Sequence, residues 1–254
     1  MKLYYSAGAC SLSPHIALKE AGLTFEAISA PTKTHTLPDG SDYYKINPLG
    51  YVPLLVLDDG RQLREGPAIV QYIADQVPDK KLAPAAGTFE RSKLQEWLNF
   101  IGTELHRGFS PLFNPATPAE YKPMVIAQLG KRLAFTDGEL AGKQYVMGDT
   151  FTVADGYLFT VTNWAQYVGV DLSGFANLLA FRTRVAARPA AAPPPGAYPS
   201  QSARAWARGC GTWRSPCRVK SPVGHKRFIG SIAPRQIPSA PPALRLDSRG
   251  ARTR

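Results

Sequence analysis

Apolar positions along this chain follow two different periods. Residues 2–5 (KLYY) suit a short strand, and residues 14–22 (PHIALKEAG) suit a helix with Pro14 in its first turn and Gly22 past its end. A second strand fits residues 25–29 (FEAIS). After a polar loop rich in Thr and Asp, residues 53–65 (PLLVLDDGRQLRE) read as a hairpin turned at Asp59 and Gly60. The next helix, residues 67–76 (PAIVQYIADQ), again opens on proline and puts Ile69, Tyr72 and Ile73 on one face. The first 80 residues thus predict β-α-β followed by β-β-α.

From residue 87 the strand signal is lost and helical spacing takes over. In FERSKLQEWLNFIGTELH, Leu94, Leu98, Ile101 and Leu105 recur at intervals of four, three and four, an apolar stripe. Asn99, Thr103 and His106 run beside it on one helical face, toward whatever that helix packs against. Further helices fit residues 122–141 and 153–168, and TVAD (152–155) is a capping box whose role is structural. Gly130, Gly138 and Gly156 fall inside helical stretches at up to about 1 kcal/mol each relative to alanine, so a less stable helical half is expected. The fold class is α/β followed by all-α, in residues 1–80 and 87–190.

Charge changes the picture only after the chain is divided. The formal net charge of +11 suggests a nucleic-acid binder, but residues 191–254 hold 12 basic residues against one acid, Asp247, and residues 1–190 balance. Those last residues also carry 10 of the 23 prolines without sustained periodicity, and read as disordered. Their abrupt start suggests a frame change in the gene or its reading, which makes Cys210 and Cys217 accidents. A genuine basic arm for nucleic acid or membrane would need an amphipathic spacing that is lacking. No apolar run approaches the roughly 18 residues of a membrane span.

Cys10 is the only cysteine in the first 209 residues, within SAGACSLSPH. Three readings compete. As a signal-peptide or lipid-attachment site it has an apolar stretch of about five residues before it, short of the roughly 7–15 required. As a buried thiol it would pack as a small hydrophobe. As a reactive thiol it stands just before a helix whose free N–H groups and dipole favour an anion, which lowers a thiol pKa from about 8.5 into the range of roughly 3.5–7.5. Ser13 takes the place of a second cysteine at the C-x-x-C spacing, which argues against internal disulfide cycling. No spacing among His15, His35 and His106 suggests a metal site.

The segments KLYYSAGACSLSPHIAL, NPLGYVPLLVLDDG, REGPAIVQYIAD, EWLNFIGTELHRGFSPLF and FTVADGYLFTV together resemble a cytosolic glutathione transferase, most closely the bacterial beta class, over residues 1 to about 190. The resemblance implies a thioredoxin-like N-terminal domain, a helical C-terminal domain, a cytoplasmic homodimer without metal, and a glutathione site between the domains. It implies Cys10 and His106 as catalytic residues. Glutathione contacts fall on Cys10, His35, Val52, Pro53, Glu65, Gly66, Asn99, Thr103, Glu104 and His106. Pro53 is expected to be cis, turning the backbone of Val52 outward. The γ-glutamyl end is expected on Glu65 and Gly66, where a helix start offers donors to a carboxylate, and the capping box is implied to nucleate folding of the helical domain.

One departure from the pattern is His35, where many beta-class members carry a lysine for the glycyl carboxylate of glutathione. A histidine there is mostly neutral at pH 7, so affinity is expected to fall. Two functions stay open. One is an enzyme that transfers glutathione's thiol to apolar electrophiles, with thiol–disulfide exchange through a mixed disulfide at Cys10 as a further activity. The other is a catalytically weak glutathione-binding or structural relative. Phe109, Phe113, Tyr157 and Trp164 are candidates for the acceptor pocket or equally for the core.

Overall fold

The computed structural model describes residues 1–192, and the readings given above for the chain from 193 onward lie outside the described residues. Strand β1 (Lys2–Tyr5) leads through a short loop to helix α1 (Leu12–Ala21), which ends on Gly22 in the left-handed conformation (φ 70°). Strand β2 (Glu26–Ser29) pairs parallel with β1. Strands β3 (Leu54–Val56) and β4 (Gln62–Leu63) form the expected hairpin, with Gly60 at φ 84° in its turn, and β3 pairs antiparallel with β1. The sheet order is β2-β1-β3-β4. Alternation along its two central strands divides the core. Leu3 and Leu55 join α1 and α2 (Gly66–Asp75) on one face, while Tyr4 and Leu54 meet Leu37 and Tyr43 of the long loop on the other.

The expected helix over residues 89–106 is longer and is interrupted. Helix α3 (Phe89–Phe100) starts on Thr88, whose hydroxyl oxygen accepts the N–H of Arg91 at 3.1 Å. It then widens into a π-helical turn (Ile101–His106) and continues as α4 (Arg107–Phe113). Leu94, Leu98, Ile101 and Leu105 are all buried, as their spacing requires. The wide turn takes in one more residue than an α-helical turn, so side chains beyond it are rotated by about 100° from their places in an unbroken helix.

Helix α5 (Lys122–Glu139) and the wholly buried α6 (Val153–Thr162) follow. The stretch expected as one helix over 153–168 breaks at Asn163–Trp164 and resumes as the short α7 (Ala165–Val168); α8 (Ala176–Ala186) completes the bundle. Asp155, fully buried, accepts the N–H of Val146 at 2.8 Å and both the N–H and hydroxyl of Thr152 at 2.7 and 2.9 Å, which pins the start of α6. Gly156 has a packing reason to be glycine, since a Cβ there would stand 3.3 Å from Ile16 of α1; Gly130 and Gly138 have none.

Several polar contacts tie the helical half to the sheet half. Trp164 Nε1 donates to the Gly8 carbonyl at 2.8 Å. Arg188 grips the Glu20 carboxylate with two donors at 2.6 and 2.8 Å while lying over the Phe151 ring. Arg91 pairs with Asp75 and donates to the Pro84 carbonyl.

Candidate active site

A cleft of about 870 Å³ opens between the two halves. Its sheet-side wall is formed by Ala9 and Cys10, the loop from Asn47 to Pro53, and the start of α2. Its other wall is formed by α3, the π-turn and α4, with Tyr157 and Trp164 at the back.

Cys10 is half-buried, and its thiol donates to the Val52 carbonyl at 3.3 Å. The expectation of a helix-activated thiolate is not met. Desolvation around the sulfur pushes the thiol up to about 12 and outweighs the N–H groups of Cys10 and Ser11 that favour the anion; the Glu65 carboxylate raises it further. Unliganded Cys10 is therefore a protonated thiol with a hydrogen to give.

The Val52–Pro53 peptide is cis, as the resemblance implied. The backbone before it is fixed by buried Asn47, whose amide donates to the Tyr51 carbonyl at 2.7 Å and whose oxygen accepts from Arg64 Nε at 2.9 Å. Tyr43 donates to the same Tyr51 carbonyl at 2.9 Å. This loop is built to hold one short piece of main chain, residues 51–53, against the cleft.

Glu65 opens α2 with φ 64°, a left-handed conformation that costs a non-glycine residue about 1–3 kcal/mol. Its carbonyl accepts the N–H groups of Ala68 and Ile69, at 3.0 and 2.9 Å, while its side chain stays exposed at the cleft rim. Beside it, the first N–H groups of a ten-residue helix with Pro67 in its first turn face the cleft wall.

On the opposite wall, Nδ1 of His106 shares a 2.7 Å hydrogen bond with the Tyr157 hydroxyl, and Trp164 packs edge to face with the imidazole, centroids 4.7 Å apart. Burial, helped by the nearby Arg107 charge, pulls His106 down to about 4, so the ring is neutral at pH 7. Burial raises the Tyr157 phenol above its ordinary value, with the Glu65 carboxylate adding to the effect.

Cys10, Val52, Pro53, Glu65, Gly66, Asn99, Thr103 and His106 all line this cleft. Two residues named from the sequence do not. His35 (φ 53°) stacks on Tyr44 with ring centroids 4.4 Å apart, and is not among the lining residues. Glu104 points to the other side of its helix and pairs with Arg132 of α5 at 2.6 Å. One residue of phase separates it from Thr103, enough to carry it to a second groove between α3 and α5. Sequence reasoning left out Asn47, Arg64 and Gln71, which also line the cleft, and did not distinguish Tyr157 and Trp164 from Phe109, which is core. Only an Asn before Pro48 in a turn-rich loop offered a local signal for any of these.

Comparison with known proteins supplies a context for this geometry. Residues 7–76 match the family model for the glutathione S-transferase N-terminal domain, and residues 100–189 match that for the C-terminal domain. The chain is 50% identical over 189 residues to glutathione S-transferase GstA of Escherichia coli O157:H7, covering 74% of this chain and 94% of that one. Among solved structures, the ternary complex of BphK, a bacterial GST, is similar with a TM-score of 0.74 at 55% identity, covering 82% of this chain and all of the other. The beta-class glutathione S-transferase of Sphingomonas chungbukensis is similar with a TM-score of 0.73 at 46% identity, covering 75% and 95%.

Proposed function

We propose, starting from the fact that this chain belongs to the glutathione S-transferase family, that the cleft between its halves binds glutathione and that the thiol bound there attacks an apolar electrophile. The observation that carries this reading is the convergence on one cleft of Cys10, the backbone beside cis-Pro53, the start of α2 and His106. The main chain of Val52 pairs with the cysteinyl part of glutathione. The γ-glutamyl carboxylate takes the free N–H groups at Gly66, and its ammonium faces Glu65. With His35 turned to Tyr44, the glycyl carboxylate lacks the cation that many beta-class relatives supply, which lowers affinity. Residues 1–80 form the glutathione-binding domain in this scheme, and residues 87–190 supply the facing wall.

The chemistry follows from the protonation states. A protonated Cys10 exchanges its bond to the Val52 carbonyl for one to the glutathione sulfur, and His106 stands on the other side. Both groups stabilise negative charge on that sulfur, the thiol proton leaves to water, and the sulfur forms a bond to the electrophilic carbon as its leaving group departs. The acceptor lies against Trp164 and half-exposed Phe113, whose rings meet edge to face at 5.7 Å. Exchange through a mixed disulfide at Cys10 ranks second, because a thiol held at about 12 is seldom ionised. We further place the protein in the cytoplasm as a homodimer. The groove of about 690 Å³ between α3 and α5, lined by Trp97, Phe100 and half-exposed Phe135, supports a face for a second copy.

Glu65→Gly tests the site. Glycine relieves the left-handed strain at a cost of about 0.5–1 kcal/mol in unfolded-chain entropy, so the free variant should melt at or above the parent. Glutathione at 100 times its dissociation constant stabilises the parent by about 2.7 kcal/mol, and a tenfold loss of affinity reduces this to about 1.4 kcal/mol. A variant with an unchanged glutathione shift removes Glu65 from the site. A parent chain that binds glutathione without turnover on a panel of electrophiles supports the non-catalytic alternative.

A further inference from the structure

Tyr157 lies in the middle of α6, a helix with every residue buried, and its phenol reaches the cleft from behind His106. Among the described residues, its hydroxyl has one recorded hydrogen-bond partner, Nδ1 of His106 at 2.7 Å. The imidazole is held from two directions, by the Tyr157 hydroxyl and by the Trp164 ring, whose own N–H is committed to the Gly8 carbonyl. Such a ring has little freedom to turn, so the proton shared with Tyr157 decides what its other nitrogen can do.

Two neutral groups share this bond. The buried phenol keeps its proton, and the imidazole stays unprotonated at pH 7. Only two arrangements exist. If Nδ1 carried the hydrogen and donated it, the phenol hydrogen would be left buried without an acceptor, a loss of about 1–3 kcal/mol. If the phenol donates to the Nδ1 lone pair, the phenol hydrogen and Nδ1 satisfy each other, and the ring hydrogen must sit on Nε2.

We propose that Tyr157 is a positioning residue for His106: by donating to Nδ1 it fixes the tautomer with hydrogen on Nε2, so that His106 acts on glutathione's sulfur as a hydrogen-bond donor and not as the base that removes its proton. The inference rests on the reading that glutathione occupies the cleft with its sulfur near His106. The thiol proton then passes to water, and the sulfur keeps its electron pair under the Nε2–H until it bonds to the electrophile. Tyr157 stays a neutral phenol throughout. It acts through the orientation of the imidazole.

The test is 15N NMR of the full chain labelled at histidine, at pH 7.5 with glutathione, His106 being assigned by its absence from His106→Gln. Expected is a protonated Nε2 and a bare Nδ1 in the parent chain. In Tyr157→Phe the preference is lost, the pKa of bound glutathione, read from thiolate ultraviolet absorbance, rises by about one unit, and kcat falls about tenfold with KM for glutathione changed less than twofold. A hydrogen on Nδ1 in the parent overturns the inference and leaves the glutathione cleft standing. An unchanged tautomer and kcat in Tyr157→Phe overturn it as well. Failure of the parent to bind glutathione overturns the cleft assignment and the inference together. Should Tyr157→Phe fold poorly, the parent spectrum alone decides the tautomer.

Discussion

Alkylation of Cys10 by iodoacetamide measures the balance between two opposing effects on one sulfur. The start of α1 favours a thiolate, and desolvation opposes it; the structure puts desolvation ahead, with the thiol at about 12. Against a free cysteine near 8.5, this lowers the thiolate fraction at pH 7.5 by about three and a half orders of magnitude. Part of this loss is recovered, because a more basic thiolate is the better nucleophile with a slope of about 0.4–0.5 per pKa unit. The net expectation is a rate about 100-fold below free cysteine at pH 7.5, rising tenfold per pH unit through pH 10. The rate must be read on the peptide containing Cys10 by mass spectrometry, since the chain also carries Cys210 and Cys217. Saturating glutathione should slow it further by occupying the cleft. A rate that matches free cysteine at pH 7.5, or levels off below about pH 8.5, would show that the helix start prevails and refute the reasoning.

A second expectation concerns acid. His15 is buried in α1, edge to face with Phe25 and with no partner for Nδ1 among the described residues, and burial pulls it down to about 4, with Lys19 adding to the effect. Its folded pKa lies below the unfolded value of about 6.5, so between those values the unfolded chain takes up a proton that the folded chain refuses, and stability falls as pH falls. By pH 4.5 this amounts to about 2.5 kcal/mol, which should vanish from the urea-denaturation difference between pH 7 and 4.5 in His15→Leu; parallel losses in parent and variant would contradict it. A third concerns the C-terminal stretch. Ala190 and Ala191 are buried against the core, whereas every cleft residue precedes Tyr167. A chain ending at Ala192 should therefore bind glutathione as the full chain does and lose any weak DNA binding, and a folded shortened chain that no longer binds glutathione would overturn this.

Local pattern carried most of the fold because most of it is decided locally. Pro67 at the start of α2, Gly22 past the end of α1, Gly60 in the hairpin and the buried stripe from Leu94 to Leu105 each act over a few residues. The π-turn left no such mark, since nothing in IGTELH distinguishes it from an α-helical turn; Glu104, named through the family resemblance alone, lies one residue out of phase with Thr103 and meets Arg132 instead. His35 was assigned by its place in the loop, but its ring found Tyr44 instead. Tyr157 and Trp164 reach the cleft from positions more than a hundred residues beyond Cys10, a proximity that packing creates and periodicity cannot encode. The state of the Cys10 thiol was misjudged for the same reason: the helix start is visible in the sequence, and the surroundings that dehydrate the sulfur are not.

The long-range ties also set an order of events during synthesis. Glu20 and Arg188 are 168 positions apart, and Gly8 and Trp164 are 156 apart. At about 5–20 residues per second, a ribosome needs roughly 10–30 s to travel from Glu20 to Arg188. For most of that interval, until α6 is complete at Thr162, α1 has been made but lacks α6 to cover it, with Ile16 open to whatever meets it first. The emerging N-terminal half is thus a client for holding factors, and slower translation of the helical half would lengthen its exposure even though no residue of the finished cleft had changed.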